Sequence, residues 1–150
     1  MVVNDVVFGK MNYDAGWEKR EDLFLFGRQS SVRIVAAAYT GQEILETQRK
    51  AYQIYQKNVE EYIKKIPDIL LQYYLDHYEM IEGIMNIPEK INKQNITANT
   101  IVRLIEVKTV YFDRDGRFGW LCDCAWDAEN GIAVILSGKD PIVAEQDELI

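Results

Sequence analysis

The apolar residues of this chain change their spacing twice, and that change constrains the fold more than any single motif. Before Thr40 they recur at about every second position. From Thr40 to Ile84 they recur at every third or fourth, and from Glu106 at every second again. Side chains alternate across a strand and repeat every 3.6 residues around a helix. The predicted order is therefore strands, then helices, then strands. Such an order implies an α+β domain with a largely antiparallel sheet, built from the N- and C-terminal strands, and two or three central helices packed on one face. A chain of 150 residues with no repeat, linker or low-complexity tract reads as a single domain over 1–150.

In the N-terminal part, "DVVFGKMNY" alternates as a strand and "DAG" (Asp14 to Gly16) turns the chain. "WEKREDLFLFG" and "SVRIVAAAYT" follow as strands, joined by a turn expected at "RQSS", Arg28 to Ser31. Val32, Ile34, Ala36 and Ala38 share one face of the last of these strands, with Arg33 and Tyr39 on the other. "TGQE" then fits a capping box, with Thr40 as N-cap and Glu43 three residues on. A helical stripe continues through Leu45, Gln48, Tyr52, Tyr55, Val59, Tyr62 and Ile66. Pro67 is expected to end or kink that helix. A second helix carries Leu70, Tyr73, His77, Ile81 and Ile84 on one side. "NIPEKINKQN" (Asn86 to Asn95) is a polar connection, and Thr97 or Asn99 starts a short third helix. "EVKTVYF", a turn at "DRDG", "FGWLCDCAW", "GIAVILS" and "PIVAEQ" complete the C-terminal strands.

Two cysteines one residue apart raise the question of a metal or redox centre. As a strand, "WLCDCAW" places Trp120, Cys122, Cys124 and Trp126 on one face. Pairing Trp126 with Ile132 sets Cys124 opposite Val134 and Cys122 opposite Leu136, so the apolar sets coincide across a five-residue loop "DAENG". A tight Asn130-Gly131 turn would instead place Lys139 and Ser137 opposite the thiols on the buried side. Residues two apart on a strand lie about 6.6 Å apart, whereas a disulfide requires Cβ atoms within about 4.5 Å. Structural zinc takes four N or S ligands, and the chain has two Cys and one His. The thiols therefore read as core packing, and no metal or cofactor is expected.

Other motifs are sparse. His77, the lone histidine, lies on an apolar stripe and reads as a buried, hydrogen-bonded core residue. A catalytic role would need a nucleophile or acid beside it. "DRDG" fails the calcium-loop pattern because its Gly comes at the fourth position rather than the sixth. Gln48, polar in an apolar stripe, needs buried partners such as a sheet edge or a tyrosine hydroxyl.

The charge balance is acidic, with 24 Asp+Glu against 17 Lys+Arg and a formal net charge of -7. Phosphate binding needs clustered bases, and no basic run, Lys64-Lys65 included, exceeds two residues, so nucleic acid is not an expected partner. No apolar run is long enough to span a membrane, and the N-terminus has no signal-peptide pattern. A cytoplasmic location with reduced thiols is the expectation. Nearly the whole acidic excess lies from Asp113 onward, where nine acids face three bases. These acids are either a solvated face that maintains solubility or a surface that attracts a basic protein partner. On the second reading the candidate surface comprises Asp113, Asp115, Asp123, Asp127 and Glu129.

"FGK" near the start, Trp17-Glu18, Gln48 with Ala51-Tyr52, and "TVYF…GWLCDCAWDAENG" together resemble a family of uncharacterised bacterial domains of unknown function. Members typically carry a Trp-Asp-x-Glu-His-Gly-like hairpin near the C-terminus. Some occur beside polymorphic toxin genes, which implies immunity proteins. This chain has Asn130 where the family often shows His, so a role for that His does not carry over. The expected function is a non-catalytic binding protein of the immunity type. The alternatives are a small hydrolase or ligand-binding enzyme with a site near His77, and a structural subunit that self-associates through an exposed sheet edge or tyrosine stripe.

Overall fold

The computed structural model describes residues 1–84 and 93–150, and within these the side chains of all but residues 82–84. Among the described residues, eight strands form one sheet in sequential order: β1 (Val2–Asp5), β2 (Gly9–Tyr13), β3 (Trp17–Leu25), β4 (Arg28–Ala36), β5 (Ile105–Phe112), β6 (Phe118–Cys124), β7 (Ile132–Ile135) and β8 (Ile142–Ala144). Every neighbouring pair is antiparallel except β4 and β5. Parallel neighbours require a crossover, and that connection contains α1 (Glu46–Asp76), α2 (Tyr78–Ile84) and α3 (Ala98–Ile101). The structure is thus the expected α+β fold.

One face of the sheet meets α1. Val32, Ile34 and Ala36 of β4, Val110 and Phe112 of β5, Trp120 and Cys122 of β6, and Ile132 and Val134 of β7 are all buried, and the strand register places them side by side. From α1, Gln48, Tyr52, Tyr55, Ile66, Leu70 and Tyr74 are buried against them. Tyr52 stacks on Phe8 with centroids 4.4 Å apart. The Trp120 indole N–H donates to the Tyr55 hydroxyl at 3.1 Å. Tyr55 is held neutral well above the usual phenol range, chiefly by burial.

The helix start differs from the capping box at Thr40. Gly41 has φ +86°, in the left-handed region, so a right-handed helix cannot pass through it. The helix begins at Glu46 instead, and Gln48 caps it. Its Oε1 accepts the Leu45 N–H at 2.9 Å, while Nε2 donates to the Ala37 carbonyl at 2.8 Å and the Phe112 carbonyl at 3.2 Å. The expected partner at a sheet edge is therefore a pair of strand-end carbonyls.

Pro67 does not end the helix, which continues to Asp76. An interior proline costs about 3 kcal/mol. Ile66, Leu70 and Tyr74 around it are fully buried, and each contributes about 1.5–3 kcal/mol, so packing outweighs the break. Leu70 and Tyr73 consequently belong to α1, His77 is its C-cap, and Ile81 lies on α2. The Ile84 side chain and most of the expected Asn86–Asn95 connection lie outside the described residues. Thr97 caps α3, its hydroxyl accepting the Thr100 N–H.

Several strand boundaries also differ. "DVVFGKMNY" is not one strand, because the chain turns between β1 and β2. The Asp5 carboxylate accepts the Val7 and Phe8 N–H groups at 2.9 Å each and holds that turn. "RQSS" lies within β4, and the turn is Phe26-Gly27, with φ +53° and +81°. A two-residue turn with both φ positive matches the twist of the strands it joins, and Leu25 pairs directly with Arg28. "DAG" and "DRDG" do turn the chain, closed by Asp14 N–H to Gly16 O at 2.9 Å and Gly116 N–H to Asp113 O at 3.0 Å.

The cysteine hairpin buries the expected face in a different register. Cys122 pairs with Ile132 and Trp120 with Val134, so each β7 residue meets a partner four positions earlier than expected. A shift of four preserves the pleat, and the apolar pattern alone cannot distinguish the two. The loop decides: Asp127 N–H bonds Cys124 O, Gly131 N–H bonds Asp127 O at 2.8 Å, and Gly131 sits at φ +63°. A Cβ at Gly131 would lie 2.3 Å from the Cys122 carbonyl. Both cysteines are free and buried. Burial pushes the Cys122 thiol far up and Cys124 up to about 12, so neither is a thiolate near neutral pH.

Charges at the helix–sheet boundary are paired. Asp5 bonds Arg49 at 2.8 Å, and Lys19 bonds Glu21 at 2.9 Å beneath the ring of Tyr52. Burial alone would raise the Asp5 pKa. The bonds from Arg49, Phe8 and Val7 outweigh it and hold the carboxyl below its ordinary value.

Replacing Gln48 with Leu leaves the Leu45 N–H without its acceptor, and urea unfolding should show a loss of about 1–3 kcal/mol. Asp5 has its pKa depressed in the folded state, so its contribution is present above about pH 4 and lost as pH falls through the folded value. Asp5→Asn should therefore be less stable than the parent near neutrality, with the difference shrinking in acid titrations monitored by circular dichroism. Both thiols should react with an aromatic disulfide reagent only as fast as the native protein opens, and at once in denaturant.

Candidate binding surface

The loop after β6 and the segment after β8 form the walls of one concavity. Asp127, Glu129 and Asn130 come from the loop, and Glu145, Gln146, Asp147 and Ile150 from the C-terminal segment, around a cavity of about 440 Å³. The walls are held in place from below. The Gln146 side-chain amide donates to the Cys122 carbonyl at 3.2 Å, tying the segment to the end of β6. A short 3₁₀ turn (Gln146–Glu148) carries the chain to Leu149, which is fully buried. Leu149 lies close over Gly119, where a Cβ would come within 3.1 Å of it.

Among the described residues, four carboxylates line this concavity and no Lys, Arg or His does. None of the four forms an ion pair with a described residue, although Asp127 accepts the Asn130 N–H at 3.2 Å. A concave wall of one sign focuses the potential and attracts cations. Tyr73 of α1 lies within its reach. Its pKa is raised first by burial, then by the neighbouring Cys124, Glu145 and Asp127. Among the described residues no three His, Cys, Asp or Glu side chains converge as a ligand set for a metal ion.

The five acids of the candidate surface do not lie together. Asp127 and Glu129 share the concavity. Asp113 and Asp115 occupy the turn at the opposite end of β6, about 20 Å of strand away. Both are bonded to Arg117 at 2.8 Å. The backbone N–H and guanidinium of Arg117 hold the Asp115 carboxyl below its ordinary range. Asp123 is exposed on the sheet face away from α1, 4.0 Å from Lys108. Glu145 and Asp147 take the places that Asp113 and Asp115 vacate. The charge count past Asp113 includes them, but their position beside Asp127 depends on β8 pairing with β7.

His77 is half-buried at the end of α1. Its Nδ1 lies 2.8 Å from the Tyr73 carbonyl, and its ring stacks on Tyr73 at 4.1 Å. A carbonyl only accepts, so Nδ1 carries the proton in this bond. Asp76, Glu79 and Lys93 line the adjoining cleft. Among the described hydrogen bonds none joins a carboxylate to the imidazole; the Tyr73 carbonyl and ring are what orient it.

No helix among the described residues is long and apolar enough to cross a membrane. No curated protein and no solved structure matches the chain. The profile of a family described as a domain of unknown function (DUF6985) matches residues 7–148. That span takes in every strand from β2 to β8, α1 to α3, and the four carboxylates of the acidic concavity, and the chain belongs to the DUF6985 family.

Proposed function

We propose that this protein is a non-catalytic binding protein whose C-terminal acidic concavity masks a basic site on a protein partner, as an immunity protein does for a toxin. One observation carries the reading: four carboxylates with no ion-pair partner among the described residues line a concavity whose walls are pinned by Gln146. Unpaired acids on rigid walls repel one another when the site is empty, and Lys or Arg side chains of a partner would relieve that repulsion. The resemblance to a group of bacterial domains, some of which occur beside toxin genes, supports the same reading. Electrostatic steering of this kind speeds association and fades with ionic strength. The protein would act in the cytoplasm and would not engage nucleic acid, given its net charge of -7.

A second reading rests on the opposite edge of the sheet. Met1, Val2, Val3 and Val6 are exposed along and beside β1, and β1 has one strand neighbour among the described strands. An uncovered apolar edge strand pairs readily with another chain, and self-association there would make the protein a structural subunit. A strict monomer by light scattering at high concentration removes this reading.

The binding reading is tested by calorimetric titration with the product of a toxin-like gene found beside that of this chain or of another family member. Affinity should be tighter than micromolar, weaken at least tenfold in the Asp127→Lys/Glu129→Lys variant, and fall steeply between low and physiological salt. Affinity indifferent to that reversal would sink the proposal.

A further inference from the structure

The edge strand β8 joins two features that the acidic concavity alone does not explain. β8 ends the sheet and pairs only with β7 among the described strands, so one side of its backbone has no strand partner. Beside it, Ile69 and Tyr73 of α1 and Pro141, Ile142 and Val143 line an apolar groove of about 290 Å³. Ile142 is 56% exposed although it lies in a strand. At its C-terminal end β8 runs directly into Glu145, Gln146 and Asp147, a wall of the acidic concavity. Groove, strand edge and acidic wall are therefore continuous.

We infer that β8 is a docking edge for an extended basic segment of the partner, which adds as a ninth strand. This rests on the reading of the acidic concavity given above and specifies how the partner is held. Strand addition draws affinity from main-chain hydrogen bonds and specificity from pockets for alternate side chains. β8 has three residues, so backbone pairing alone is weak, and the groove and the acids must contribute the rest. An apolar side chain of the segment enters the groove between α1 and β8. Its Lys or Arg side chains reach Glu145 and Asp147, with Asp127 and Glu129 behind them.

Charge sets the occupant and its polarity. Neither the groove nor the concavity is lined by a described base, and Asp76 adds a further acid beside the groove. Lys139 lies in the turn before β8, so the basic end of the segment belongs at the Glu145 end. From Ile142 to Glu145 is about 10 Å of extended chain, which spaces the apolar anchor and the first basic residue about three residues apart. The β1 edge lacks this character. Its one buried acid, Asp5, is already bonded to Arg49.

The test uses the full chain, isotopically labelled, and a synthetic ten-residue peptide of alternating isoleucines with two lysines at one end. Two control peptides carry glutamates in place of the lysines, or N-methyl groups on alternate amides. The expected result is amide shift changes at Ile142–Ala144 and Glu145–Asp147, with affinity at least tenfold weaker for each control peptide. Ile142→Lys, at an exposed position, should weaken binding to the same degree without unfolding the chain. The methylated peptide makes the test independent of any variant. If Asp127→Lys/Glu129→Lys weakens binding while methylation and Ile142→Lys do not, strand addition is wrong and the acidic-surface reading survives. If methylation and Ile142→Lys weaken binding while charge reversal does not, the acidic-surface reading and this inference both fall. Shift changes confined to β1, pairing of β8 with a second copy of the chain, or no binding at millimolar peptide would each overturn the inference.

Discussion

Gln48 stands where the sheet changes direction, and the rest of the structure is arranged around its three hydrogen bonds. β4 and β5 are the only parallel neighbours among the described strands, and both end at this residue. The Ala37 N–H donates to the Phe112 carbonyl at 2.9 Å, closing the strand pair. The Gln48 side-chain NH2 then donates to the carbonyls of both strand ends while its oxygen accepts the Leu45 N–H and caps α1. One side chain thus sets the height of α1 on the sheet. Tyr52 and Tyr55, one and two turns further on, reach Phe8, Phe112 and Trp120 as a consequence. A polar side chain at this depth is tolerated because its donors and acceptor are all used.

The second organising element is β6. Its face toward α1 carries Phe118, Trp120, Cys122 and Cys124 into the core. Its two ends hold turns of opposite electrostatic character. At one end Asp113 and Asp115 are matched by Arg117. At the other, Asp127 and Glu129 share a concavity with Glu145 and Asp147, and none of the four forms an ion pair with a described residue. An acid paired with arginine presents little net charge to a partner, whereas grouped unpaired acids present a field. The distinction between solubility and recognition therefore lies in the pairing of the acids and not in their number.

Much of the architecture was legible in the sequence. The change of period marked the strand, helix and strand regions, because burial of one face imposes a period of two or 3.6 on any chain. The buried identity of Cys122 and Cys124 was legible for the same reason. Where the period was unaffected, the reading erred. Thr40 matched a capping box, but Gly41 bends the chain away from a helix. Pro67 was expected to end or kink the helix, and its buried neighbours exclude the first by carrying the helix through to Asp76. The β6–β7 register slipped by four residues, which leaves the pleat and the apolar face unchanged, so only the loop geometry around Gly131 could select it. Within the candidate surface, Asp127 and Glu129 were found as adjacent members of one loop. Glu145 and Asp147 escaped because nothing local connects them to it.

The sequence by itself determined the α+β class, the buried face of each main strand and the acidic bias of the last third of the chain. These follow from periodicity and charge, which are properties of neighbouring residues. Only the tertiary structure decided that β4 and β5 run parallel, that β8 forms an edge beside α1, and which acids share a concavity. Those depend on pairings between residues far apart in the chain, selected by loop conformation and packing rather than by pattern.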